Sequence, residues 1–287
     1  MSGVNEFSGY IAEIEAWRIK RETDLRAPDS WLSLTGLFEL KDGEQSIGSD
    51  ESCDVILPSS APSHLGTVTF RENQATLHVT LDTTDIAVKV DGKTVREAVL
   101  VDNDDGYRTP SFATIGSVTF FVHKYGEHYG IRIKDSQNPV IQNFAGCIWY
   151  AVKPDYLVHG QFVPHPEAQS IQVNTTVNTL AEYKSPGVVR FELHGQQLQL
   201  LATGRTGDKL SVILRDTTAG KETYAAVRFL SVEVDDKNDA VIDFNKTYNP
   251  PCAFTPYATC PLPPRMNILP VAIEAGERYA GADYSHD

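Results

Sequence analysis

The chain has 287 residues, a formal net charge of -13 and a sequence pI near 5.0. It carries no basic stripe able to displace counterions from phosphates, which excludes a nucleic-acid partner. No apolar run approaches the ~20 residues needed to span a bilayer, and no basic segment followed by an apolar one opens the chain, so a cytoplasmic protein without a membrane partner is expected. The length predicts about two domains.

In chain order, Phe7, Tyr10, Ile11, Ile14, Trp17 and Ile19 recur at near-helical spacing, while Glu13, Glu15, Arg18, Lys20 and Arg21 fill the other face. This pattern predicts one amphipathic helix from Glu6 to Leu25, within an N-terminal segment 1–30. Ser30 to Leu40 then alternates as a strand interrupted by Gly36. Short segments rich in Val, Thr, Ile and Phe follow at Gly66 to Arg71, Ala75 to Leu81, Ile86 to Val90, Ser117 to His123 and Tyr129 to Lys134. Separated by Asp-Gly and Asn turn signals, they predict a β-sandwich over 31–138.

A second antiparallel β unit is expected over 139–287. Its strands are read at Leu157 to Phe162, Ser170 to Asn174, Gly187 to Leu193, Gln196 to Ala202, Lys209 to Arg215 and Arg228 to Val234. The fold class is therefore all-β. The chain closes on Asp243 to Glu277, where Pro250, Pro251, Pro256, Pro261, Pro263, Pro264 and Pro270 remove backbone donors and forbid helix or central strand. Phe244, Tyr248, Phe254, Tyr257, Leu262, Ile268 and Leu269 anchor this segment, which predicts an ordered functional loop rather than a solvated tail.

Chemistry is sparse. Cys252 and Cys260 are separated by seven residues, the short Cys-x-x-Cys knuckles are absent and no histidine lies between Asp243 and Glu277, so no metal site is expected. The two cysteines are read as a buried pair, disulfide-linked in an oxidising compartment, and Cys53 and Cys147 as packing residues. No Gly-x-Ser-x-Gly elbow occurs, and the scattered His64, His123, His128, His159, His165 and His194 single out no base. No cofactor is implied.

The polar set Arg215, Asp216, Thr217, Thr218, Thr223, Tyr224 and Arg228 reads as a strand-turn-strand reversing at Gly220. Asp243 and Asn245 leave a strand to enter the proline loop. If those strands are neighbours, Asp216, Arg228 and Asp243 share one charge network, with a structural and a ligand-binding reading equally open. The candidate ligand-binding residues are Asp216, Arg228, Asp243, Asn245, Asn249 and Asn267.

Two resemblances emerge. The segments LRAPDSWLSLTGLFEL, IGSDESCDVILP, RDTTAGKETYAAVRFL and DFNKTYNPPCAFTPYATCPLPPRMNILPVAIEAGE together resemble the uncharacterised family known as domain of unknown function 1684, over nearly the whole chain. Its most specific part is the last segment, with Asp243-Phe244-Asn245, Tyr248-Asn249-Pro250, Cys252, Cys260-Pro261, Asn267 and Ala275-Gly276-Glu277 in order. That family implies no activity. Leu40 to Asp50, Asp54 to Pro58 and Ser63-His64 are similar to the strand, turn and strand of a forkhead-associated (FHA) domain. Ser49 stands where that family has an arginine, and Ala61-Pro62-Ser63 replaces its serine-arginine pair, so phosphothreonine recognition is not implied.

The expected function is small-molecule binding or a hydrolase-like activity in a cleft between the second β unit and the proline loop. The alternative is a non-catalytic FHA-like module that holds a protein partner through the loops of the first unit. An exposed apolar patch around Ile47 to Leu57 would favour the alternative.

Overall fold

The computed structural model describes residues 2–81, 87–106, 108–279 and 281. It is built mainly of β-strands, with one long helix, Ser2–Leu25, at the N-terminus. The chain divides into two compact units: Asp24–Phe144 with Thr255–Ala258, and Met1–Thr23 with Ala145–Phe254 and Thr259–Asp287. The helical residues up to Thr23 thus belong with the C-terminal half of the sequence.

The first unit holds two sheets. One has six strands in the order Leu34–Glu39, His128–Asp135, Val118–Tyr125, Ala113–Ile115, Lys89–Val90 and Lys93–Thr94. The other has five, in the order Val55–Ile56, Gly43–Gly48, Gly66–Arg71, Gln74–Val79 and Glu97–Leu100. Phe120, Ile131 and Ile133 of the first sheet and Ile47, Val68 and Leu77 of the second share one buried core. Strand Gly66–Arg71 shows why the pattern was readable, since its inward residues are buried and alternate with half-buried ones until Arg71. The strand expected at Ile86 to Val90 is Lys89–Val90; Ile86 itself lies outside the described residues. Trp31–Ser33 is a 3-10 turn rather than strand, because Ser30 caps it by accepting from the Leu32 amide.

The loop from Ser46 to Ser63 is closed on itself. Ser49 Oγ donates to the Ala61 carbonyl at 2.9 Å, and Asp54 Oδ2 accepts from both the amide and the hydroxyl of Ser46. Ile47, Val55 and Leu57 are buried and, of the apolar residues of that stretch, only Ile56 is exposed, so no apolar patch forms there.

The second unit holds one antiparallel sheet of seven strands. Their order is Gln196–Leu201, Leu180–Leu193, Leu157–Asn174, Asp239–Asp243, Arg228–Val234, Lys209–Leu214 and Gly204–Thr206. The two strands expected at Leu157 to Phe162 and Ser170 to Asn174 are one. Its register with Leu180–Leu193 shifts between Pro164 and Gln169, where Pro164 and Pro166 cannot donate to the ladder and a bulge absorbs the loss. The expected strand-turn-strand at Arg215 to Arg228 is instead a loop, joined to itself by an Ala219–Thr223 bridge, and Thr223 and Tyr224 lie in that loop rather than in a strand. Leu269, Val271, Ile273 and Ala275 of the closing segment pack into the core of this sheet with Phe191, Leu230 and Phe244.

The helix corrects the face assignment. Ile14 is fully buried and Tyr10, Ile11, Trp17, Arg18, Arg21 and Glu22 are half-buried, whereas Ile19 is 69% exposed. Arg18 and Arg21 therefore sit on the packed face. Each guanidinium lies over an aromatic ring, Arg18 at 4.9 Å from the Trp149 centroid and Arg21 at 4.7 Å from that of Tyr248. Each also donates to a carbonyl, of Tyr150 and Asn249 respectively, so the charges are accommodated without solvent.

Candidate functional site

The residues singled out in the sequence fall into separate buried networks within the second unit. Arg228 and Asp216 form a fully buried ion pair at 2.6 Å. The rest of the guanidinium donates to the carbonyls of Ile273 at 3.0 Å and Ala275 at 2.8 Å, and Asp216 Oδ1 accepts from the amides of Thr218 and Ile273 and from the Thr218 hydroxyl. The pair grips the main chain of the closing segment. A buried arginine wants acceptors and a buried carboxylate wants donors, and here the pair meets that need with each other, with the Thr218 hydroxyl and with the backbone of Thr218, Ile273 and Ala275.

Asp243 lies outside that network, contrary to the expectation of a shared one. Its Oδ1 accepts from the Tyr10 hydroxyl at 2.7 Å and from the Asn245 amide, capping the 3-10 turn Phe244–Lys246, and Lys246 stands 3.5 Å from Oδ2. Burial and the bond to Asp243 push the Tyr10 hydroxyl well above the usual phenol range. Asn245 bonds the same hydroxyl and exchanges two bonds with the Lys153 backbone.

Asn249 meets Glu277. Its amide nitrogen and its side-chain Nδ2 each donate to one oxygen of the Glu277 carboxylate at 3.1 Å, and Arg21 Nε lies 3.5 Å from Oε2. Burial holds the Glu277 carboxyl above its ordinary value, opposed by Arg21 and by the Asn249 donors. Burial likewise raises the nearby Cys147 thiol, with Glu277 adding to the effect. Gly276 sits at φ 77°, and a Cβ there would run into the Thr247 carbonyl, so the Ala-Gly-Glu sequence serves backbone approach followed by a buried carboxylate. Asn267 is also fully buried. Its amide donates to the carbonyls of Leu201 and Ile213 and accepts from the Leu201 amide, stapling the turn Arg265–Asn267 to two strand ends.

A cleft of about 330 Å³ opens beside this staple. It is lined by the end of strand Leu157–Asn174, with Gln172, Val173 and Asn174, and by Arg215 and Ala226. The remaining wall is the proline segment, with Leu262, Pro263, Pro264, Arg265 and Ile268. That wall is fastened along its length. Leu262 donates to the Asn174 carbonyl at 2.7 Å, Thr176 to that of Cys260 at 2.8 Å, and Arg215 exchanges backbone bonds with Asn267 and Leu269. Cys252 and Cys260, joined by a disulfide, close the loop that leads into it. Of the predicted ligand-binding residues, none lines the cleft, and Asn267 is the one that anchors its wall. Gln172, Asn174 and Arg265 escaped sequence reasoning because exposed polar residues in a strand and a loop carry no pattern.

Apart from Tyr10 and Arg21, the residues of these networks and of the cleft fall in one stretch of sequence. Residues 142–278 match the family described as Protein of unknown function (DUF1684). The match takes in the Arg228–Asp216 pair, the Asn249–Glu277 pair and every residue that lines the cleft. A solution NMR structure of an uncharacterized protein from Haloarcula marismortui is 30% identical, covers 50% of this chain and 80% of its own, and has a TM-score of 0.41. No curated protein matches the chain.

Proposed function

We propose that the protein binds a small molecule in the cleft between the sheet of the second unit and the proline segment. The observation that carries this reading is the cleft itself. Its volume falls at the lower end of ligand pockets, and its walls are held by Asn267, by backbone bonds and by the disulfide rather than by side chains filling the space. The lining offers amides, guanidiniums, prolines and aliphatic groups, with no carboxylate, imidazole, hydroxyl or thiol side chain. That set suits recognition, whereas hydrolysis needs a nucleophile or a base within reach, so binding rather than bond cleavage is the function proposed.

The family relation, proposed here to extend to the first unit, and the FHA-like resemblance of that unit leave a role in holding protein partners as the lesser reading. The buried state of Ile47, Val55 and Leu57 speaks against it. The test of the cleft is a thermal-shift screen of small metabolites on the wild type and on Ile268→Trp, which puts an indole into the opening. Hits that vanish in the variant support the reading. Hits that persist unchanged, or a screen with none, overturn it.

A further inference from the structure

Arg215 and Arg265 are the charged residues of the cleft, and neither makes an ion pair or side-chain hydrogen bond with any described residue. Arg190, Lys221 and Lys237 of the same unit are likewise without such a partner, but none of those lines the cleft. The arginines and lysines elsewhere in the unit are largely spoken for: Arg228 by Asp216, Arg21 by Glu277, Arg278 by Glu222, Lys153 by Glu274 and Lys246 by Glu13. With a net charge of -13, carboxylates are abundant, yet none lines the opening where these two guanidiniums stand.

Both are mounted on fixed backbone. Arg215 is bonded on its amide by the Asn267 carbonyl and on its carbonyl by the Leu269 amide, at 3.0 and 2.8 Å. Arg265 opens the turn that Asn267 staples to Leu201 and Ile213, and Pro264 before it restricts the entering chain. Gln172 and Asn174 are two apart on one strand, so their amides project from the same face toward the same opening. Two planar forks with donors to spare, in one lining with the amides of Gln172 and Asn174 and with apolar Leu262 and Ile268, match an oxyanion attached to a small apolar body.

We propose that the ligand of this cleft is a small organic anion, bearing a carboxylate or phosphate group held by Arg215 and Arg265 and an apolar part against Leu262 and Ile268. The inference rests on the binding function proposed above and names its ligand class. Carboxylate and phosphate share the chemistry, and the probes separate them.

Calorimetric titration of the full chain with phenylacetate, phenyl phosphate and inorganic phosphate, against neutral phenylacetamide, tests it. Expected is saturable binding of at least one aromatic anion, weakened by added salt, with phenylacetamide at least tenfold weaker. Arg215→Gln and Arg265→Gln, both exposed substitutions, should each weaken the anion about tenfold and the double variant abolish it. Preference for phenylacetate over phenyl phosphate assigns a carboxylate, and the reverse assigns a phosphate; inorganic phosphate binding as tightly as phenyl phosphate removes the apolar contact from the proposal. Equal binding of anion and amide, or Gln variants that bind like wild type while Ile268→Trp does not, would overturn the anion and leave the cleft standing. Binding untouched by Ile268→Trp as well would overturn both.

Discussion

At the scale of single residues, the closing segment is held by buried charge. Arg228 spends its guanidinium on Asp216 and on two carbonyls of the strand-like run from Ile273 to Ala275. Removing its counter-charge would leave a cation with no solvent to receive it, and such a loss costs about 3–5 kcal/mol. Asp216→Ala is therefore expected to lower the denaturant midpoint sharply, whereas Asp216→Asn, which keeps one acceptor, should lose less; equal stability of Asp216→Ala and wild type would refute the role. In the first unit, Asn103 presents its Nδ2 to His123 Nδ1 because its Oδ1 is taken by the Lys124 amide, which keeps the ring neutral. Burial, helped by Arg132, pulls the His123 pKa down to about 3. A histidine with a folded value below its unfolded one contributes stability that is present above about pH 6.5 and lost as pH falls toward 3. Between those limits stability should fall by up to about 1.4 kcal/mol per pH unit on this account, and denaturation of His123→Gln across the same range should lack that slope.

At the scale of elements, the helix is fastened by charges on its packed face. Arg21 stacks on Tyr248, donates to the Asn249 carbonyl and stands beside Glu277, so the helix, the Tyr248-Asn249 stretch and the end of the closing segment meet in one cluster. Arg21→Met keeps much of the stem but strips Glu277 of its cation, and Glu277→Gln strips Arg21 of its anion. A double-mutant cycle should return a coupling of about 1–3 kcal/mol, with the double variant more stable than the two losses added together. Strict additivity would show that the helix is docked by its aromatic contacts alone. Glu277→Gln also carries a pH signature. Because the folded carboxyl titrates above its ordinary value, wild type should lose stability relative to Glu277→Gln as pH rises from the ordinary carboxyl range through the raised one, as melts over that range would read.

At the scale of the whole molecule, acidity and the self-bonded loop around Ser49 lead us to predict no phosphopeptide recognition. Ser49 uses its hydroxyl on Ala61 and cannot replace a guanidinium fork, and a chain of net charge -13 does not attract a dianion without a local cation. Phosphothreonine peptides should show no micromolar binding in fluorescence anisotropy; an affinity abolished by phosphatase would mean that another cation has taken the part.

The sequence by itself determined the all-β class, the single long N-terminal helix and the order of the closing segment, because alternation in stretches such as Gly66–Arg71 and the run of prolines act locally. It grouped Asp216 and Arg228 with Asp243 in one conditional charge network, of which the structure keeps the first two together and sets Asp243 apart. Only the tertiary structure decided that Asp243 pairs with Tyr10, 233 residues away, that Asn249 meets Glu277, and that Arg18 and Arg21 face inward. Each depends on a partner far along the chain, and a polar residue's burial is set by what it finds there, which no local pattern records. None of the candidate ligand-binding residues read from the sequence lines the cleft. Buried polar groups announce themselves through unusual neighbours, while an exposed Arg265 or Asn174 differs from any solvated residue only in what stands across from it.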